Sequence, residues 1–188
     1  MIYKEILKNP KVTSTIVIDL TKSWNEIEKG FDKDVFYYLS KGKNLVFKEE
    51  ISSKSQDIPY QKIYSVRDNT SLHSLLSYGV LNLTSDKTAL YNESLTFKKG
   101  RDFGVGYVLL YNLIKVAKEL GYKTFDFGGI FNETSTEEEQ QVNVFKSKWG
   151  GREDLVHCHP VYTKKKVIHT NIRYYGSLIL KHLKIRNS

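Results

Sequence analysis

Cysteine is almost absent: Cys158 is the only one in 188 residues. That excludes an internal disulfide framework and any zinc site built from several cysteines. Proline is nearly as sparse, with Pro10, Pro59 and Pro160 scattered and no low-complexity linker between them. No stretch approaches the roughly 18 apolar residues that a membrane-spanning helix needs. Met1 to Lys11 alternates apolar and charged residues and lacks the unbroken apolar core of a secretion signal. With the lone thiol, this leads us to expect a cytoplasmic protein without stable membrane insertion. No internal repeat is visible.

What the chain does have is aromatic area. Thirteen Tyr and nine Phe supply a core and exclude a disordered chain. At roughly 150 residues per domain, one domain over 1–188 is expected, and it should bury about 70% of its unfolded surface. Lys and Arg outnumber Asp and Glu by 29 to 21, a net charge of +8. The excess fits polyanionic partners such as phosphorylated cofactors, RNA or an anionic membrane surface, and fits a merely solubilising surface as well.

Thr15 to Leu20 is a short β-branched apolar run and reads as a buried strand. Ser23 and Glu26 have capping-box spacing, so a helix begins there and ends near Gly30. A second helix is expected from Asp32 to Ser40, stopped by Gly42, and a strand from Lys62 to Arg67. Leu75 to Leu83 and Ala89 to Phe97, separated by Thr84–Lys87, read as a hairpin. From Val105, apolar residues at 105, 108, 109, 113, 116, 117 and 120 form one face of an amphipathic helix, with Gly121 just past its end. Tyr122 to Phe127 is a strand with Thr124, Asp126 and Gly128 on one face and Phe125 and Phe127 on the other. Thr134 to Glu139 starts a helix carrying Val142, Phe145 and Trp149 inward and stopping at Gly150-Gly151. A final strand near Leu155 to Tyr162 and a basic tail helix near 172–185 complete a mixed α/β (α+β) order.

One segment carries chemistry. Arg101-Asp102-Phe103-Gly104-Val105-Gly106-Tyr107 lies between a strand and the longest helix. Glycines there let backbone N–H groups approach an anion, the helix N-terminus adds unsatisfied donors, and Arg101 adds a forked cation. A pyrophosphate cradle is one reading; an ordinary turn is the other. A Walker loop is excluded because no lysine followed by a hydroxyl is present, and the dinucleotide fingerprint fails because Leu109 stands where its third glycine belongs.

Arg101-x-x-Gly104-x-Gly106 resembles the loop with which GNAT-fold acyltransferases hold the pyrophosphate of coenzyme A. Ala117 to Ile130, with Gly121-Tyr122 and Phe125-Asp126-Phe127-Gly128-Gly129, and then Phe145-Lys146-Ser147-Lys148-Trp149-Gly150-Gly151, is similar to the second half of a Fem-type GNAT domain. These motifs span about residues 89 to 163. Fem enzymes are peptidoglycan-bridge aminoacyl transferases, usually with two GNAT-like domains and often a helical arm for tRNA; this chain has room for one and no arm. The resemblance implies a single GNAT-like domain with a central, mostly antiparallel mixed sheet flanked by helices. It also implies an acyl-CoA-dependent N-acyltransferase acting on an amine, such as an amino sugar, an amino acid or a cell-envelope precursor. An aminoacyl-tRNA-dependent Fem-type transferase and a non-catalytic binding module are the alternatives.

By the same resemblance, Glu93 on the strand before the cradle is the candidate base. Tyr91, read as sharing its face, is a candidate proton relay. Phe103, Val105 and Tyr107 join Arg101, Gly104 and Gly106 as acyl-CoA-binding positions. Asp126 with Gly128 and Gly129 reads as a substrate-binding corner, or as a carboxylate that satisfies that turn's own donors. Lys146 matches a lysine that lies near the reacting carbonyl in tRNA-using relatives; it is a candidate oxyanion stabiliser or an exposed helix lysine. No metal is expected, since His157 and His159 on a strand lack a third ligand. The tail helix, with Arg173, Lys181, Lys184 and Arg186, either packs on the domain or lies on a membrane surface.

Overall fold

The computed structural model describes residues 12–53, 61–70, 73–132 and 135–155. The chain begins with β1 (Val12–Asp19), α1 (Trp24–Glu28) and α2 (Lys33–Lys41). Four strands follow: β2 (Leu45–Ser53), β3 (Gln61–Asp68), β4 (Leu75–Leu83) and β5 (Thr88–Thr96). Then come α3 (Lys98–Arg101), α4 (Val105–Glu119), β6 (Thr124–Phe131), α5 (Glu137–Ser147) and β7 (Arg152–Leu155). The tail near 172–185, His157-Cys158-His159 and most of the expected last strand lie outside the described residues. Among the described helices, none is long and apolar enough to cross a membrane.

Local signals placed the helix starts. Ser23 and Glu26 close a reciprocal capping box, the Ser23 amide donating to Glu26 Oε2 at 2.9 Å and the Glu26 amide to Ser23 Oγ at 3.3 Å. Thr136 and Glu139 repeat the device on α5, at 2.8 and 3.3 Å. At the end of α4 the Tyr122 amide donates to Ala117 O, and Gly121 takes a left-handed φ of 77°.

The seven described strands form one sheet in the order β2-β3-β4-β5-β6-β1-β7. Every pairing is antiparallel except β5 with β6. The mixed, mostly antiparallel sheet expected from the sequence is therefore present. α4 lies across it, with Val105, Leu109, Leu110, Leu113, Ile114 and Ala117 fully buried against Tyr64, Leu81, Ala89 and Phe125. At about 25 cal/mol per Å² of apolar surface, this one helix face supplies a large share of the hydrophobic driving force.

Several expectations change. β2 was not foreseen, because Leu-Val-Phe-Lys-Glu-Glu-Ile-Ser-Ser alternates poorly and a bulge between Glu49 and Ile51 breaks its period. β6 runs to Phe131 rather than Phe127, and β7 begins at Arg152 rather than Leu155. Val142 is 40% exposed instead of turned inward, since α5 meets the rest of the protein through Asn143, Phe145 and Lys146. Leu120, just beyond α4, is also exposed.

Candidate functional site

β5 and β6 hold together for only three residue pairs, Thr88–Leu90 against Thr124–Asp126. Beyond them the strands separate. One cause is visible in the pairing of β4 with β5: Val80 faces Glu93 and its neighbour Leu81 faces Tyr91, so Asn92 is an extra residue. Such a bulge bends its strand and shifts every later side chain to the other face. Tyr91, Ser94 and Thr96 consequently share the face covered by α4, while Glu93 turns to the opposite one. There the Tyr78 hydroxyl donates to Glu93 Oε1 at 3.4 Å. The expected sharing of a face by Tyr91 and Glu93 is thus corrected.

A cavity of about 250 Å³ lies against the diverging part of β5. Tyr91, Ser94 and Thr96 of β5 form one wall, and Arg101 with Gly104, Val105 and Gly106 forms the end. Tyr107 of α4 and Phe145 of α5 close it. Its volume lies just below the range of pockets that hold a whole drug-sized ligand, so it suits part of a longer one. Among the described residues, no carboxylate lines it.

The turn from β5 to α4 contains α3, a single helical turn that was not expected. Arg101 is exposed and its Nε donates to Thr96 O at 3.2 Å. Gly104 has φ +63°, and a Cβ there would stand 2.2 Å from the Tyr38 ring. Glycine is therefore required twice, by backbone conformation and by close packing. The amides of Phe103, Gly104 and Tyr107 are satisfied by Gly100, Arg101 and Gly104 carbonyls. Those of Val105 and Gly106, the first two of α4, have no acceptor among the described residues. They are the usual free donors of a helix start and lie at the cavity. Phe103 is 51% exposed and points away from the core. Tyr107 belongs to an aromatic column, stacked on Tyr38 at 4.5 Å and edge-on to Phe145 at 4.9 Å.

On the β6 side the arrangement is dense. Asp126, 3% exposed, accepts from the Thr15 hydroxyl at 2.5 Å and from the Gly128 amide at 2.8 Å. Lys146 is buried, and its ammonium donates to Gly129 O at 2.6 Å and Gly128 O at 3.2 Å. It is not an exposed helix lysine. Gly128 has φ +71°, and its missing Cβ would be 3.2 Å from Tyr91 O, so this knot abuts the cavity wall. An amide clamp holds α5 here: Asn143 Nδ2 donates to Phe131 O and the Phe131 amide donates to Asn143 Oδ1.

Burial sets the protonation behaviour of both walls. It pulls the Lys146 ammonium down to about 8, with the Asp126 carboxylate opposing the shift. It pushes the Tyr91 hydroxyl up to about 12, with a bond to Ser94 acting the other way. Tyr91 therefore stays protonated at neutral pH and is no base there. Sequence reasoning missed Thr15, Ser94, Thr96, Tyr38 and Asn143. Only the hydroxyl spacing of Ser94 and Thr96 carried a hint, and it becomes legible once the bulge is known.

No protein-family model matches the sequence, and no curated protein matches it. Solved structures do. Over 75% of this chain and 59% of the other, it resembles FemX with a TM-score of 0.61 at 13% identity. The C-terminal domain of a protein described as a lysylphosphatidylglycerol synthetase, from Agrobacterium fabrum, gives 0.58 at 16% identity, over 77% and 58% of the two chains. L-PGS from Bacillus licheniformis gives 0.51 at 13% identity, over 90% and 65%. The chain thus spans about three fifths of the length of these structures. The class the architecture defines is the Fem-type, GNAT-like fold.

Proposed function

We propose that this protein is an acyl-group transferase that takes an aminoacyl group from an aminoacyl-tRNA ester and passes it to an amine or hydroxyl acceptor. The reading is carried by one observation: the parallel strands β5 and β6 part against two free helix amides and Arg101, with a buried lysine on the β6 side. The fold likeness to FemX and to the synthetase domain supports this donor over a thioester.

The groups fit such a transfer. The amides of Val105 and Gly106, with Arg101, hold a phosphate of the donor at the cavity's end. The acceptor's lone pair forms the new bond to the acyl carbon, and charge gathers on the carbonyl oxygen. Two Lys146 protons are engaged by glycine carbonyls, which leaves one for that oxygen. As the ester C–O bond breaks, the leaving oxygen takes a proton from Tyr91, and the proton that the acceptor sheds restores the Tyr91 hydroxyl through solvent. Glu93 serves as base only toward an acceptor that reaches it from the face opposite α4. The Asp126–Gly128–Gly129 corner acts on substrate through Lys146.

Acyl-CoA is the second reading, favoured by the same free amides and the Arg101-x-x-Gly104-x-Gly106 spacing. The two separate in one experiment. Charged tRNA carrying labelled amino acids, and acyl-CoA, are each offered with a panel of amines and hydroxyl acceptors. Transfer from tRNA with binding that falls steeply with salt supports the first. Turnover of the thioester alone selects the second. No turnover from either donor, with no coenzyme A binding by calorimetry, removes the transferase reading.

A further inference from the structure

The buried knot beside the cavity contains two side chains that no step above uses directly, Thr15 and Asp126. Both are almost wholly buried, at 3% exposure each. Burying a hydroxyl and a carboxylate together is costly unless their hydrogen bonds are made, and here they converge on one residue, Gly128. The Thr15 hydroxyl lies 2.8 Å from Gly128 O, and Asp126 Oδ1 accepts from the Gly128 amide at 2.8 Å. The same Gly128 carbonyl, with that of Gly129, receives the Lys146 ammonium. The one Thr15 hydroxyl proton goes to the nearer carboxylate, so β1 steadies Asp126, Asp126 holds the Gly128 nitrogen, and α5 holds the Gly128 oxygen through Lys146. Without that hold, a glycine at φ +71° has the freest backbone in the strand, and the lysine's acceptors would wander with it.

We propose that Thr15 and Asp126 are positioning residues that fix the peptides around Gly128 and thereby set the Lys146 ammonium against the Gly128 and Gly129 carbonyls, behind the Tyr91 wall of the cavity. The inference rests on the transferase reading for its consequence, but not for its geometry. Thr15 makes no bond to Lys146 itself and reaches it through Asp126 and the Gly128 peptides, so its contribution is orientation. Loss of orientation by fractions of an ångström lowers turnover without weakening a donor bound elsewhere in the cleft.

Thr15→Val keeps the shape of the side chain and removes the hydroxyl. With whichever donor proves active, it should lower kcat about tenfold or more and leave the donor's KM within about twofold, with Thr15→Ser restoring most of the loss. In a Lys146→Met background, Thr15→Val should have no further effect; two additive losses would mean that Thr15 acts independently and overturn the proposal. A second readout needs no turnover. In protein labelled with ¹³C at the lysine ε-carbon, the Lys146 signal, assigned by its loss in Lys146→Met, should move in Thr15→Val and in Asp126→Asn and return in Thr15→Ser. An unmoved signal in both variants overturns the proposal, even if wild-type protein transfers nothing and the functional reading has failed.

Discussion

The two sides of the cleft are built on opposite principles. The β5–α4 turn presents backbone: two glycines, two unengaged amides and one exposed arginine around an open end. The β6–α5 side is made of side chains sunk into the protein, where Thr15, Asp126, Lys146 and Asn143 engage the Gly128, Gly129 and Phe131 peptides. A seat of bare amides takes an anion with little reorganisation, because the donors are fixed by the helix. A buried ammonium has its charge strengthened by its low-dielectric surroundings, at a cost in stability. The first side suits holding, the second chemistry.

That contrast can be broken most severely at Lys146. Lys146→Ala should lower transfer by at least about 100-fold while leaving donor binding intact, since oxyanion donors act on the chemical step. Equal losses of binding and turnover would move Lys146 to the holding side.

Gly104→Val comes next. A side chain at φ +63° with its Cβ 2.2 Å from the Tyr38 ring should cost about 2–4 kcal/mol, read as a fall in Tm of several degrees. Gly106→Ala is its control, because its Cβ would meet Thr96 and Phe145 only at 3.7 and 3.9 Å. It should fold normally and narrow the cavity. Equal destabilisation by both would show that the turn is a packing element throughout.

The cost of the buried ammonium is measurable by pH. The folded state holds Lys146 at about 8, below its ordinary 10.5, so between those values the unfolded chain binds more protons. Stability should therefore rise with pH from about 8 to 10.5 by up to a few kcal/mol from this group, and denaturant unfolding of Lys146→Met should lack that rise. An identical pH profile in the variant would mean that the lysine is not buried in solution. Smallest is Arg101→Ala, which should weaken an anionic donor about tenfold with no change in Tm, because the guanidinium is exposed and, among the described residues, bonded to Thr96 O alone. Unchanged donor affinity would leave the amides as the whole seat.

The legibility of the two sides differs for a physical reason. The turn is local: its glycines, its arginine and the helix after it are contiguous, and a spacing of a few residues carries the geometry. The capping boxes at Ser23 and Thr136 and the apolar face of α4 were readable on the same grounds. The β6 side is assembled from positions as far apart as Thr15 and Lys146. Asp126 and Lys146 were visible as motif residues, but whether Lys146 faced water or a carbonyl depended on where α5 docked. Val142 shows the same limit: an apolar residue on a short helix gives no sign of which face will be covered.

The bulge at Asn92 is the sharpest instance. A one-residue insertion leaves no mark in Tyr-Asn-Glu-Ser, yet it decides that Tyr91 with Ser94, rather than Tyr91 with Glu93, looks into the cleft. The amino-acid order alone determined the elements that close over short range, namely helix starts, the glycine turn and the mixed α/β class, because their energies lie within a few neighbouring residues. Tertiary structure decided which side chains meet, since register, strand separation and burial arise from contacts between segments more than a hundred residues apart.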